Sequence, residues 1–243
     1  MPFYQQIYQI ADRTIRCGKS CDDVANAPAQ GIVPRGLLLE PGSHPCPAAE
    51  SIYSHKQSSD NCNCETARDG CVIVGINPGN ASDVERAHYK KSPLSYAAIL
   101  EYWPEIQTLP YFKKLRKVAE AFGLFGPILW SDLAKCECKW VTLPVKATPA
   151  RMPVSAQTLR VCIHSYLLRE LAVAPKYWPI IAVGRTAFAT LSAIVAPDRA
   201  VIGVPHPTGS FGRTDAFLTD NAKIDQAKSA IANNQALWLG KGR

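Results

Sequence analysis

The segment from Cys71 to Gly79, with the sequence CVIVGINPG, constrains the fold more than any other part of the chain. A short apolar run rich in β-branched residues ends there at a polar asparagine, which is how a buried parallel strand presents a polar group at the carboxyl edge of a sheet. Pro78 fixes its own φ angle and disfavours the helical region for Asn77. Gly75 and Gly79 have no Cβ atom, so backbone or a ligand can come close to them. A strand followed by an ordinary turn is the alternative interpretation.

Three further apolar runs, at 127–130, 179–184 and 200–204, have the length of buried strands. Helical patterns separate them or flank them, at about 3–16, 93–103, 110–123, 185–195 and 220–237, with one more helix after the Pro-rich segment 141–153. Residues 80–92 indicate a polar loop. Strands that alternate with helices predict an α/β fold in which a four-stranded parallel sheet lies between layers of helices.

Polar or glycine residues stand where these four strands are predicted to end. They are Asn77, Asp132, Gly184 and His206. Ligand-binding groups gather beyond the carboxyl ends of parallel strands, so we expect one pocket to collect side chains from distant parts of the chain.

The segment from about 22 to 70 is rich in Pro, Ser, Asn, Ala and Gly and shows little periodicity, which indicates a long irregular insertion. It contains Cys46, Cys62 and Cys64. The 243 residues are otherwise consistent with a single domain, and 47% hydrophobic with 19% charged residues is typical of an ordinary globular protein.

The excess of 27 Lys and Arg over 20 Asp and Glu gives a net charge of +7, which suits a polyanionic partner such as DNA. Four of the basic residues are close together in the helix at 110–123, where a solvated helix face is favoured over a phosphate site: Lys113, Lys114, Arg116 and Lys117. The first residues lack the pattern of a signal peptide, and no apolar run approaches the roughly 20 residues that span a bilayer. We therefore expect a cytoplasmic protein with no membrane partner. The sequence does not give its oligomeric state, for which a monomer is the favoured interpretation.

Several of these segments together resemble the uracil-DNA glycosylase superfamily. GINPG at 75–79 looks like the first motif of the mismatch-specific branch, and HPTGS at 206–210 looks like the second motif. SDLAKC at 131–136, Cys162 and IIAVGRTA at 180–187 are similar to the iron–sulfur branch, as is the opening helix followed by a close cysteine pair. The likeness covers residues 1–21 loosely and about 71–210 well, and it implies a three-layer α/β/α sandwich and a monofunctional DNA glycosylase of base excision repair.

The resemblance implies roles for the residues that match the motifs. Asn77 would position a water molecule at C1′, and His206 would donate a hydrogen bond to O2 of the departing base. Backbone N–H groups around Ile76 and Gly79 would add to the base site, and Gly79 leaves room where the most uracil-selective branch has a bulky tyrosine. Tyr89 would stack on the flipped base, with surface packing as its alternative role. A histidine bonded to a backbone carbonyl is the alternative role of His206.

Asp132 departs from the superfamily, which usually has an asparagine there. An ionised carboxylate only accepts hydrogen bonds and would repel O4 of uracil. Either the pocket keeps this carboxyl group protonated, or the preferred base is a modified or deaminated base other than plain uracil. An Asp132→Asn substitution that improves uracil excision would support the second hypothesis.

Residues after the second motif are expected to bind DNA. Phe211 would fill the gap left by the flipped nucleotide, or would serve as an ordinary hydrophobic anchor of its loop. Arg213 would hold a phosphate group. Thr208 and Ser210 belong to the motif itself and are assigned to DNA binding with them.

Nine cysteines in a chain without a secretory signal favour a metal site over disulfides. The resemblance implies a [4Fe–4S] cluster with a structural role, held by Cys17, Cys21, Cys136 and Cys162. The Cys-x3-Cys spacing of the first pair and the long gap before Cys162 depart from the usual layout. Cys138 is a competing ligand, the thiols at 62 and 64 form another possible pair, and a structural zinc site is the alternative.

Two other functions remain open at this point. A catalytically silent protein that binds damaged or single-stranded DNA would have the same fold and the same basic charge. A nucleotide-binding α/β protein is a weaker interpretation, because no Gly-rich phosphate loop follows any predicted strand.

Overall fold

Helices and strands alternate along most of the chain in the computed structural model, which describes residues 3–19, 21, 23–24, 38–40, 68–91, 95–142, 149–151, 154–195, 197–207 and 213–240. The strands are β1 (Leu38–Glu40), β2 (Cys71–Gly75), β3 (Ile128–Asp132), β4 (Trp140–Thr142), β5 (Pro149–Arg151), β6 (Ile180–Val183), β7 (Val201–Val204) and β8 (Ala236–Trp238). The α-helices are α1 (Phe3–Ile15), α2 (Asp83–Lys91), α3 (Tyr96–Ile106), α4 (Pro110–Ala121), α5 (Ala156–Cys162), α6 (Leu168–Val173), α7 (Arg185–Val195), α8 (Arg213–Leu218) and α9 (Asn221–Ala232). A π-helical turn, Ile163–Leu167, joins α5 to α6.

A six-stranded mixed sheet has the strand order β1-β3-β2-β6-β7-β8. Its four middle strands are the four that the apolar runs predict, and they are parallel to one another. The expected count of four strands is wrong, because β1 adds an antiparallel edge beside β3 and β8 adds a parallel edge beside β7. Both edge strands have three residues, too few for a hydrophobic period to reveal them.

Every residue of β2, β6 and β7 is buried, so helices must cover both faces of the sheet. Helix α7 packs against β6 and β7, and α9 packs against β7 and β8. The α/β sandwich expected from the sequence is therefore confirmed. Its middle strands end together at one edge, since Gly75 is the register partner of Asp132 and Val183 is the partner of Val204.

Helix α2 lies where the sequence indicates a polar loop, so that prediction is wrong. Asp83 and Glu85 occupy its first turn, where the helix dipole favours acidic side chains. The hydroxyl oxygen of Ser82 accepts a hydrogen bond from the backbone N–H of Glu85 at 3.2 Å. The helix buries Glu85 and Tyr89 on one side while the rest of its sequence is polar, which conceals the apolar period.

Three smaller differences concern segments that the sequence leaves irregular or reads as helix. Strand β1 lies inside the segment expected to be an irregular insertion, β4 and β5 pair within the Pro-rich segment, and α9 ends at Ala232 before β8 begins. In the part of the chain that the structure describes, no helix has both the length and the apolar character needed to cross a membrane.

Candidate active site

The ends of β2 and β3 remain joined beyond the sheet itself. The backbone N–H of Leu133 donates to the carbonyl oxygen of Gly75 at 2.9 Å, and that of Ala134 donates to Ile76 at 2.8 Å. These bonds hold Ile76 and Asn77, which follow β2, beside Asp132, the last residue of β3. Asn77 and Asp132, two of the residues predicted for the site, therefore lie side by side at the same edge of the sheet.

The ends of β6 and β7 are joined in the same way. The N–H of Gly184 donates to the carbonyl oxygen of Val204 at 2.8 Å, and Gly184 has a φ of 89°, which glycine adopts without strain. A Cβ atom at position 184 would lie 3.9 Å from Cδ1 of Ile76, so this side chain reaches across to β6. His206 follows β7 by two residues and is exposed at the same edge.

Tyr111, near the start of α4, connects the two halves of this edge. Its ring lies against the ring of His206, with centroids 5.4 Å apart at an interplanar angle of 44°. A Cβ atom placed on Gly75 would lie 2.9 Å from the hydroxyl oxygen of Tyr111 and 2.3 Å from Oδ1 of Asp132. Tyr111, Asp132 and His206 therefore form one continuous group above Gly75.

Burial of the Tyr111 hydroxyl, and then the negative charge of Asp132, raise the pKa of Tyr111 well above its usual value. The phenol group therefore keeps its proton and can donate a hydrogen bond at neutral pH. Sequence reasoning did not single out this residue, since an aromatic residue after a helix-starting proline is usually a packing residue.

Gly75 was expected to allow the close approach of backbone or a ligand. The atoms that come close are instead side-chain oxygens of the same chain, those of Asp132 and Tyr111. Gly79 differs, because no described atom lies within 4 Å of a Cβ placed there, and the residue is exposed. The roomy pocket that the motif implies at Gly79 stays a prediction.

Asn77 is half-buried, and its Nδ2 donates to the carbonyl oxygen of Pro78 at 2.9 Å. This bond uses the amide nitrogen within the loop, so the amide oxygen is the end turned away from that carbonyl group. An amide oxygen can accept a hydrogen bond from a water molecule. The arrangement is therefore compatible with the water-positioning role that the motif implies.

Tyr89 is only 7% exposed and belongs to the hydrophobic core. Its hydroxyl group donates to Oε1 of Glu85 at 3.0 Å, and its ring makes edge contacts with His88 and Tyr102. Stacking on a base would require the ring to leave this packing against α3.

The structure describes only one of the residues predicted to bind DNA after the second motif. Thr208, Ser210 and Phe211 lie outside the described residues, and Arg213 is described only as the first residue of α8. On α4, Arg116 has a structural role, because it donates two hydrogen bonds to the carboxylate of Glu40. Its neighbours Lys113 and Lys117 are exposed and turn their charges to solvent.

The four cysteines assigned to a cluster lie in one region of the molecule. Cys17 and Cys21 follow α1, Cys136 follows β3, and Cys162 ends α5. Burial raises the pKa of Cys136 to about 12, and the thiols of Cys162, Cys17 and Cys21 add to this effect. Among the residues that the structure describes, no three His, Cys, Asp or Glu side chains are arranged as a metal site in this conformation. The four thiols are therefore close enough to influence one another's pKa, but they are not arranged around one metal position in this conformation.

The π-helical turn holds the loop that carries Cys17. The hydroxyl group of Tyr166 bonds to the sulfur of Cys17, and Nζ of Lys19 donates to Oγ of Ser165 at 2.6 Å. The backbone N–H of Lys135 bonds to the sulfur of Cys162. The four thiols match an iron–sulfur or zinc site in type and number, and two of them, Cys17 and Cys162, receive a hydrogen bond from a neighbouring group.

Of the other cysteines, Cys138 is buried and its backbone bridges to Val24, while Cys71 is buried within β2. The thiols at positions 46, 62 and 64 lie outside the described residues, so their possible role as ligands stays a prediction.

A buried ion pair links the strand edge to the cysteine region. Nζ of Lys135 lies 2.6 Å from Oε2 of Glu170 and donates to the backbone oxygen of Asp132, also at 2.6 Å. Oγ of Ser131 donates to the same Glu170 oxygen at 2.5 Å. Lys135 precedes Cys136 directly, so this network fixes the backbone between Asp132 and the predicted cluster ligand.

An open groove lies at the opposite end of the sheet, near the start of β3. It is lined by the Arg116–Glu40 pair and by the exposed Phe125, among others. None of the polar groups at the carboxyl edge lines it. The candidate active site therefore lies at the carboxyl edge, where titratable and amide groups from separate strands meet.

No model of a known protein family matches this chain, and no curated protein matches it. The resemblance to the uracil-DNA glycosylase superfamily therefore depends on the sequence motifs and stays a prediction.

Proposed function

We propose that this protein is a monofunctional DNA glycosylase, which hydrolyses the N-glycosidic bond of a flipped-out uracil or another deaminated or modified base. The observation that supports the proposal is the group of Asp132, Tyr111 and His206 above Gly75, with Asn77 on the adjoining loop. Such an enzyme must hold a base outside the duplex, place water at C1′ and stabilise the base as it leaves. The carboxyl edge of this sheet offers one group for each of these tasks.

Asn77 serves in this mechanism as the residue that holds the attacking water. An amide is too weak a base to remove a proton in the ground state. Bond cleavage therefore runs ahead of water attack, through a state with positive charge on the sugar. The bond between Nδ2 and the oxygen of Pro78 orients the amide for this purpose.

His206 donates a hydrogen bond to O2 of the base as negative charge develops there. Donors that are already oriented before the reaction contribute most when charge forms in a dry site. The contact with the Tyr111 ring orients the imidazole, which is otherwise exposed.

The net charge of +7 supports DNA as the partner, because basic side chains replace counterions along the phosphate backbone. Lys113 and Lys117 are suitable for phosphate contact, since both are exposed on the helix that begins next to Tyr111. Thr208, Ser210, Phe211 and Arg213 keep their proposed roles in the same interface.

We propose a [4Fe–4S] cluster bound by Cys17, Cys21, Cys136 and Cys162, with a structural zinc ion as the alternative. When bound, the group supplies a cross-link between the N-terminal loop, the segment after β3 and α5. The hydrolysis itself uses none of its chemistry.

Oligonucleotides that carry a single uracil, hypoxanthine, xanthine or ethenocytosine test the proposal in single-stranded and double-stranded form. We expect an abasic product from at least one of them, detected as strand cleavage after alkali. His206→Ala should lower the single-turnover rate by about 10²- to 10³-fold, the range for the loss of one such donor. Lys228→Ala on the exposed side of α9 is the matched control and should leave the rate unchanged. Binding without abasic product from any base would contradict the proposal and favour the catalytically silent DNA-binding protein.

A further inference from the structure

Asp132 raises a difficulty for base recognition, because an ionised carboxylate offers only acceptors. A base with a ring N–H beside a carbonyl oxygen needs one acceptor and one donor from the protein. The hydroxyl group of Tyr111 is such a donor, and it lies beside Asp132. A single Cβ position on Gly75 falls within 2.3 Å of the Asp132 carboxylate and within 2.9 Å of the Tyr111 oxygen.

We infer that Asp132 and Tyr111 act as one recognition pair that binds the lactam edge of a flipped base. The carboxylate accepts a hydrogen bond from the ring N–H, and the phenol group donates one to the adjacent carbonyl oxygen. Together the two side chains supply the acceptor and the donor that one asparagine amide would supply. This inference depends on the proposed function, because it places a base at this edge.

The surroundings suit this division of roles. Asp132 is held at the end of β3 by its register with Gly75 and by the ammonium group of Lys135, which binds its backbone oxygen. The Tyr111 phenol group keeps its proton, since burial and the charge of Asp132 raise its pKa. The ring of Tyr111 also contacts His206, so the pair lies next to the group proposed to stabilise the departing base.

The pair defines a class of substrate. Uracil, hypoxanthine and xanthine each carry a ring N–H next to a carbonyl oxygen, and each arises by deamination. Cytosine and adenine present the reverse order, a ring nitrogen acceptor next to an amino group. Their ring nitrogen would face the carboxylate without a hydrogen. On this reasoning Asp132 does not exclude uracil, in contrast to the hypothesis drawn from the sequence.

Equilibrium binding tests the pair apart from catalysis. Single-stranded oligonucleotides with one 2′-fluoro-uridine or one 2′-fluoro-cytidine resist hydrolysis and differ only at the edge in question. We expect the wild-type protein to prefer the uridine probe. Tyr111→Phe removes only the hydroxyl group and should reduce this preference by about 10- to 100-fold, in keeping with the discrimination of one good bidentate contact. Tyr102→Phe, a phenol group on α3 in contact with His88, is the matched control and should keep the preference.

A double variant separates recognition from a merely structural effect. Asp132→Asn in the Tyr111→Phe background supplies donor and acceptor from one amide, so the preference for the uridine probe should return. Asp132→Asn alone should change it little, because Tyr111 already donates. Asp132→Ala should abolish it, which keeps the test valid if Tyr111→Phe fails to fold.

An unchanged preference in Tyr111→Phe, or no recovery in the double variant, would overturn the inference. A wild-type protein that binds both probes equally would overturn it as well. Preference for the uridine probe without abasic product from unmodified substrates would refute the proposed glycosylase activity while supporting the recognition pair.

Discussion

Gly75→Ala is the substitution that most directly tests the geometry of the candidate site. Its Cβ atom would lie 2.3 Å from Oδ1 of Asp132 and 2.9 Å from the hydroxyl oxygen of Tyr111. Both distances are shorter than real Cβ contacts, so both side chains must move. A single added methyl group is therefore expected to separate the two residues that the site depends on.

The size of the effect follows from which side chain can yield. Asp132 is half-buried at the end of its strand, so its short side chain has some room to shift. Tyr111 also packs against Phe112 and His206, with centroids 5.2 Å and 5.4 Å away, so its movement disturbs two further rings. Overpacking of this kind typically costs about 1–3 kcal/mol in the free energy of unfolding. For a chain of this length each kcal/mol lowers Tm by roughly 2–4 °C.

Urea unfolding and thermal unfolding of Gly75→Ala and Gly79→Ala provide the measurement. Gly79 belongs to the same motif, and no described atom lies within 4 Å of its added Cβ, so its variant should stay within about 0.5 kcal/mol of wild type. The NMR signals of the His206 ring should shift in Gly75→Ala and not in Gly79→Ala, because the Tyr111 ring next to His206 must move. Equal stability of the two variants with an unchanged His206 spectrum would refute the proposed arrangement above Gly75.

Three further predictions concern the ion pair, the thiols and a helix cap. Lys135→Met should lower the free energy of unfolding in urea by about 3–5 kcal/mol, because it leaves the buried Glu170 carboxylate without its partner. The double variant Lys135→Met/Glu170→Leu should recover most of that free energy. An equal loss of stability in the double variant would contradict the reasoning. A serine substitution at any one of the four proposed ligands should abolish the metal content of the purified protein, measured by elemental analysis and optical absorption; these ligands are Cys17, Cys21, Cys136 and Cys162. Cys71→Ser is the control and should retain the metal. Metal retained in all four ligand variants would exclude this ligand set. Hydrogen bonds from Lys223 hold the pKa of Asp220 below its usual 3.8 at the start of α9, so the stabilisation from this cap is present above that value and lost as the pH falls through the folded-state pKa. Asp220→Asn keeps a capping side chain and should therefore make stability less dependent on pH in that acidic range, and identical pH–stability curves for the two proteins would contradict this.

The sequence predicts the middle of the sheet well because buried parallel strands are continuous apolar runs. The run at 71–75 and the run at 180–183 match β2 and β6. The rest of the fold depends on contacts that no local pattern shows. Strand β1 is three residues long and becomes a strand only because β3 offers it an edge. Helix α2 buries only one narrow side, so its polar sequence looks like a loop.

The same distinction explains which part of the site could be predicted. Asn77 follows an apolar run directly, and Asp132 and His206 each follow one by two residues. Their place at one edge is therefore a consequence of parallel strands. Tyr111 reaches that edge from a helix, and only the packing of α4 against the sheet brings its hydroxyl group over Gly75. The position of the Tyr111 hydroxyl group beside Asp132 changes how this carboxylate is interpreted. Considered alone, a carboxylate argues against uracil, whereas beside a protonated phenol group it completes a donor–acceptor pair. A departure from a motif at one position is therefore best interpreted together with the side chains that the fold brings into contact with it.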